Sequence, residues 1–287
     1  MAEPETHTID VPGVILTYDI RNAEGSSEPA LLMIGSPMDA DGFGALAGYF
    51  TDRTVVTYDP RGVSRSTRTD DARQSTPEQH ADDLHQVISE LGGGPVDVFA
   101  SSCGAVNALA LVAAHPEDVR TLVAHEPPIA VILPDRKQAL AAILDLRQAY
   151  EKSGSGVGMA KFIATTSHRG IFTADFLDQP TPDPAAFGMP ADDDGSRDDP
   201  LLGQNLISCT HYEPDFDALR AAPTRIVVGA GEESDGQMAS RAANVVAERL
   251  GKQVVIFPSH HGGFVAAEGA WGGKPEEFAA TLRETLA

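Results

Sequence analysis

Val96-Asp97-Val98-Phe99-Ala100-Ser101-Ser102-Cys103-Gly104-Ala105 begins as a short apolar run and breaks into small residues. Asn107-Ala108-Leu109-Ala110-Leu111-Val112-Ala113-Ala114-His115 follows at once and reads as a helix. Together they predict a buried strand, a tight turn centred on Ser102 and a helix. Ala100 stands two residues before Ser102 and Gly104 two after it. A turn this sharp strains its central residue, so its neighbours at those two places must be nearly free of side chain. That is the geometry of a nucleophile elbow, here Ala-x-Ser-x-Gly rather than Gly-x-Ser-x-Gly. The Ser102 hydroxyl then sits at the carboxyl end of a strand and the start of a helix, where the Cys103 backbone N–H can face a developing oxyanion. The plainer reading is a turn holding two incidental serines, and the surrounding chain has to decide between the two.

A chain of 287 residues without long low-complexity runs fits one large α/β domain with an insertion, and a hydrophobic content of 42% supplies a substantial core. The formal charge of −21 disfavours nucleic-acid phosphate and anionic membrane as partners. Cys103 and Cys209 make no disulfide framework. The start, Met1-Ala2-Glu3-Pro4-Glu5, lacks the basic and apolar regions of a secretory leader, and no apolar run approaches membrane-spanning length. The expected location is the cytoplasm.

Working outward, His7 to Asp10 and Val14 to Ile20 read as an antiparallel hairpin turned at Pro12-Gly13. Ala30-Leu31-Leu32-Met33-Ile34 is a continuous apolar run, as a strand buried on both faces requires, and ends in Gly35-Ser36-Pro37. A helix is expected over Phe43 to Phe50. Val55 to Tyr58 is the next strand, running into Asp59-Pro60-Arg61-Gly62-Val63-Ser64-Arg65-Ser66. Thr76-Pro77-Glu78-Gln79 carries helix-cap signals, and the helix it opens stops at Gly92-Gly93-Gly94. Val119 to Ala124 is a strand ending in His125-Glu126-Pro127-Pro128. Thr224 to Gly229 and Gln253 to Phe257 complete eight expected strands, with helices over Gln237 to Leu250 and Pro275 to Leu286. Strands alternating with helices imply a mostly parallel sheet covered on both faces.

Between Ile129 and Ala222 the pattern changes. Ala139 to Tyr150 and Val157 to Thr166 read as helices and no strand is evident, so residues 129–222 are expected to form a helical cap on a core of 1–128 and 223–287. The acidic stretch Pro190 to Pro200 lacks the ligand spacing of a calcium loop and reads as solvated.

Ile34-Gly35-Ser36, Asp59-Pro60-Arg61-Gly62-x-Ser64-x-Ser66, the turn at Ser102 and a histidine after the last strand occur in the order and spacing of the α/β-hydrolase fold, which the chain resembles over essentially its whole length. The resemblance implies a mostly parallel eight-stranded sheet flanked by helices, with a helical cap insertion and no cofactor or metal. A serine hydroxyl needs an adjacent base, and the base an orienting acid. The fold places the base after the last strand, where Pro258-Ser259-His260-His261-Gly262-Gly263-Phe264 resembles the Pro-Gly-x-His segment of relatives. His261 is the expected base, with His260 beside it as the alternative. The usual acid position, in a Gly-x-x-Asp pattern after the seventh strand, holds Ser234 in Gly231-Glu232-Glu233-Ser234. Some members carry the acid after the sixth strand instead, and Glu126 stands there. A charged group ending an apolar strand needs a partner. Glu126 is the expected acid and Glu232 the alternative. Strand ends two apart in sequence order are expected to lie side by side, bringing Glu126, after the sixth strand, within reach of His261, after the eighth.

The Ser102 to Glu126 spacing and the His125-Glu126-x-Pro128 stretch, with Val228-Gly229-Ala230 and Tyr58 to Ser66, resemble the zearalenone lactonase group of α/β-hydrolases. That resemblance implies a Ser-His-Glu triad acting on a lactone's ester bond under a helical cap. It departs at Cys103, where those enzymes carry a second serine, at Gly262-Gly263 and throughout the cap. The oxyanion donors expected are the backbone N–H groups of Ser36 and Cys103, since Pro37 has none. The function expected is hydrolysis of a carboxylic ester or lactone of a small, fairly apolar molecule. A cofactor-free lyase or perhydrolase and a non-catalytic binder are the rivals the same scaffold allows. At most, a second copy of the chain in a homodimer is the macromolecular partner.

Overall fold

β3 (Leu31–Ile34) shows how the core is divided. Successive side chains of a strand point to opposite faces, and Leu32 and Ile34 enter a first buried cluster while Leu31 and Met33 enter a second. In the computed structural model, which describes residues 3–92, 94–190, 192–268 and 272–287, this strand sits inside a nine-stranded sheet. The readings made of Met1 and Ala2, of the middle glycine of Gly92 to Gly94 and of Ala191 in the acidic stretch lie outside those residues.

β1 (Glu5–Val11), β2 (Val14–Arg21) and β4 (Val55–Asp59) pair antiparallel in that order. From β4 onward the ladder is parallel, through β3, β6 (Val96–Ser101), β7 (Val119–His125), β8 (Arg225–Gly231) and β9 (Val254–Phe257). The sequence predicts eight strands. The ninth, β5 (Thr67–Arg68), pairs with β2 and is only two residues long, too short for alternation to announce it.

The first cluster, on one face, is closed by α2 (Pro77–Leu91), α3 (Cys103–Ala114) and α8 (Met238–Arg249). Thr76 and Gln79 cap α2 reciprocally, and Gly92 ends it in the left-handed conformation that glycine adopts without strain. The second face is closed by α9 (Pro275–Leu286), with α1 (Gly44–Ala47) and the 3₁₀ turn Ala40–Phe43. The helix expected over 43–50 is thus a single turn, bracketed by Gly44 and Gly48.

Residues 129–222 add no strand to this sheet among the described residues. α4 (Arg136–Ser167) breaks at Gly154 (φ 84°, ψ −177°), which separates the two helices the sequence predicts there. α5 (Ala174–Leu177), α6 (Leu206–His211) and α7 (Phe216–Ala221) follow. Ile143, Leu146, Tyr150, Leu202 and Leu206 build a third cluster that closes on Met238 and Ala242 of α8. α7 instead packs Phe216 and Leu219 into the first cluster, beneath the sheet's own helices. In the acidic stretch Asp193 pairs with Arg197, and Asp199 caps the next turn by accepting from the N–H groups of Leu201 and Leu202.

Candidate active site

β6 ends at Ser101, and Ser102 adopts φ 58°, ψ −133°, a left-handed region that a residue with a Cβ rarely occupies. The space around it explains the small residues. A Cβ on Gly104 would stand 2.7 Å from the Gly35 Cα and 2.8 Å from the Ile34 carbonyl oxygen, both rigid backbone. The Ser102 N–H donates to the His125 carbonyl at 3.0 Å, tying the turn to the end of β7. Ser102 does not cap α3 with its side chain, so its hydroxyl is not spent there. Cys103 opens α3, and the first amides of a helix have no acceptor within it. Among the described residues neither the Cys103 nor the Ser36 backbone N–H donates to a protein acceptor.

Glu126 leaves β7 with φ 49° and is fully buried. Its own N–H donates to the Gly229 carbonyl at 3.0 Å, and its Oε1 accepts from the Gly231 N–H at 2.9 Å. Its Oε2 accepts from His261 Nδ1. The expectation that the two parent strands adjoin is wrong, because β8 lies between β7 and β9. The carboxylate reaches the imidazole by crossing the end of β8. Gly231 permits the crossing: a Cβ there would meet the Ser259 oxygen and the His260 carbonyl carbon, both at 2.9 Å.

Burial by itself would raise the Glu126 pKa. The hydrogen bond from His261, the neighbouring imidazoles and the Gly231 amide outweigh it and hold the pKa at about 2. A carboxylate so placed stays ionised near neutrality. It also fixes the tautomer of His261: with the proton on Nδ1, Nε2 is the basic nitrogen.

The rival residues are placed differently. His260 accepts from the Gly262 N–H on Nδ1 at 3.0 Å and lies 3.2 Å from the Gly272 carbonyl through Nε2, so both its nitrogens serve the turn. Glu232 is exposed in a 3₁₀ turn, and Ser234, where the Gly-x-x-Asp pattern would have its acid, is buried.

His125, noticed in the sequence only as a flank, is wholly buried against Phe257 and Phe278, with Nδ1 3.3 Å from Ser101 Oγ. Burial lowers its pKa to about 4, so the ring is neutral beside Glu126. A histidine terminating an otherwise apolar strand was the signal available for it.

Ser102 and His261 share the floor of a cavity of about 750 Å³ between the sheet and the inserted helices. Its walls are mostly apolar, with Met159, Phe162 and Ile163 of α4 facing Met38, Leu206 and Met238. An adjoining hollow of about 450 Å³ is lined by Ser36, Ser101, Ser102 and His261 together. A hydroxyl, a basic ring nitrogen oriented by a buried carboxylate, and two unspent backbone N–H groups therefore meet at one apolar cavity, which suits nucleophilic acyl chemistry on a small molecule.

The model of the α/β hydrolase fold family matches residues 35–231. A protein of Bacillus subtilis (strain 168) described as the uncharacterized hydrolase YraK is 30% identical over 264 residues, covering 90% of this chain and 89% of that one. Among solved structures, a thermophilic esterase from Thermogutta terrifontis with malate bound is similar at 19% identity, with a TM-score of 0.67 over 99% of this chain and 98% of that one. The α/β hydrolase enzyme MGS-M2, from a Medee basin deep-sea metagenome library, is similar at 15% identity, with a TM-score of 0.70 over 98% of each chain. The chain belongs to the α/β hydrolase fold family and is an enzyme of the hydrolase class.

Proposed function

We propose that the enzyme is a serine hydrolase that cleaves a carboxylic ester or lactone of a small, fairly apolar molecule through an acyl-enzyme. The observation that carries this reading is the buried Glu126 carboxylate bonded to His261 Nδ1 at the floor of the cavity that also holds Ser102. Ser102 Oγ attacks the substrate carbonyl carbon and His261 Nε2 takes the hydroxyl proton. Glu126 orients the ring and stabilises the imidazolium. The oxyanion is received by the Ser36 and Cys103 N–H groups, each such donor contributing about 2.7–4 kcal/mol to the transition state. His261 then returns the proton to the departing alkoxide. A water activated by the same ring hydrolyses the acyl-enzyme, and Ser102 is regenerated. For a lactone the alkoxide and the acyl group stay on one molecule, so the product is a hydroxy acid.

The lactone reading rests on the resemblance of Ser102, Glu126 and the 125–128 stretch to the zearalenone lactonase group. The size and the apolar walls of the cavity suit a neutral ring system, since sites for such ligands hold about 300–1,000 Å³. The test is mass spectrometry after exposure to a fluorophosphonate, with turnover of a small activated ester and a panel of lactones. An adduct on Ser102, and turnover abolished by Ser102→Ala, are expected. Folded protein with no adduct at Ser102 would overturn the reading.

A further inference from the structure

The end of the sheet opposite Ser102 carries a second group of chemistry-bearing side chains. Asp82 and His85 stand on one face of α2, three residues apart. His115 ends α3, and Asp118 closes the turn into β7. Each histidine is matched with the aspartate of the other element: His85 Nδ1 lies 2.6 Å from Asp118 Oδ2, and His115 Nε2 lies 3.5 Å from Asp82 Oδ1. The imidazoles stack with centroids 3.9 Å apart and planes within 9°. Among the described residues, His85, His115 and Asp118 are the group whose potential ligand atoms converge, all within 4.8 Å of one another.

We propose that His85, His115, Asp118 and Asp82 form a zinc site that staples α2 to the turn between α3 and β7. Two imidazoles and two carboxylates make a tetrahedral donor set, and the carboxylates neutralise the dication. Ligand atoms about 2.0–2.1 Å from a tetrahedral ion stand about 3.3 Å from one another. The His85, His115 and Asp118 donors span 2.6 to 4.8 Å, which brackets that spacing, and the exposed Asp82, 3.5 Å from His115, swings in as the fourth. Closing on the ion requires the His85–Asp118 pair to open slightly and the stacked rings to splay.

Three features favour this over a plain ion pair. Asp118 is fixed by its backbone, its N–H donating to the His115 carbonyl and its carbonyl accepting from Val96, so one ligand is already positioned. The carbonyl end of α3 points its negative dipole at the cluster. The face-to-face stack also holds a second ring-nitrogen donor against the His85–Asp118 pair. The seven residues of β7 separate the cluster from Glu126, so the site is independent of the ester reading.

The experiment takes the full chain, stripped with EDTA and desalted. Zinc chloride is titrated calorimetrically and Co²⁺ by visible absorption. One zinc per chain, tetrahedral Co²⁺ bands and a thermal midpoint that rises with zinc concentration are expected. His115→Gln and Asp82→Asn should each weaken binding by roughly tenfold or more, with ester turnover unchanged. Asp82 is largely exposed, so its variant tests the site even if the histidine variant does not fold. Absence of a tetrahedral Co²⁺ spectrum, or binding equally tight in Asp82→Asn, would overturn the proposal and leave the cluster as a histidine–aspartate tie between elements.

Discussion

Glu126 combines a positive φ, full burial and a low pKa, and each has a partner that sustains it. The Gly229 and Gly231 contacts hold the backbone turn and one carboxylate oxygen, and His261 holds the other. Glu126→Gln should lower kcat by roughly three to four orders of magnitude, as when a triad acid becomes an amide, because the imidazole loses its orienting acceptor. Glu232→Gln, changing an exposed side chain, should be nearly silent. Steady-state kinetics on an activated ester check both, and the reverse order of effects would move the acid to the turn after β8.

Between elements, two close approaches govern the site. α3 touches the β3 loop where Gly104 meets Gly35, and this contact sets the spacing of the Ser36 and Cys103 N–H groups. Gly104→Ala should destabilise by about 1–3 kcal/mol, the usual cost of overpacking, and lower kcat as the loop is pushed away. Denaturant melts and kinetics on the same preparation separate the two effects. The Asp59 to Ser66 turn is the second. Asp59 accepts from the Ala40 N–H at 3.0 Å and from Arg65, Ser66 Oγ donates to the Asp59 carbonyl at 2.7 Å, and Arg61 holds Asp83 of α2 through two hydrogen bonds. The motif that carries the family resemblance between β4 and β5 is architecture. Arg61→Ala leaves Asp83 buried and unpaired, so a loss of about 3–5 kcal/mol is expected in urea melts. Arg283→Ala, which breaks the exposed pair with Asp52, should cost less than about 1 kcal/mol.

Across the whole molecule, burial makes stability depend on pH in a definite direction. His80 and His125 are wholly buried, and burial lowers each pKa from 6.5 to about 4. Between those values the unfolded chain binds protons that the folded chain refuses, so stability is complete above pH 6.5 and falls toward pH 4. Glu126 adds a second window. Its carboxyl titrates at 4.5 unfolded and at about 2 folded, so its contribution is present above pH 4.5 and is lost as the pH falls toward 2. Urea midpoints from pH 7.5 to 3 should fall in two stages, beginning below 6.5. A midpoint that stays flat from 6.5 to 4.5 would show that the buried imidazoles are not held neutral.

The fold was legible in the sequence because its signals are local. Ala100 and Gly104 around Ser102, the Thr76-Pro77 cap and the apolar runs of β3, β6 and β7 each depend on neighbours within a few residues, where sterics and hydrogen bonding act on the chain directly. The two residues of β5 carry no period, and two glycines cut the helix expected over 43–50 to a single turn. Tertiary structure decided which groups meet. Glu126 and His261 are brought together by the order of strands β7, β8 and β9 and by the missing side chain of Gly231. The apolar cavity comes from helices beyond Ile129 that close over the sheet. The same is true of His85 and His115, inconspicuous on separate helices until the packing of α2 on α3 stacks their rings. The sequence determines what each segment can become, but the strand order and the faces that pack together set the distances between remote residues on which the chemistry depends.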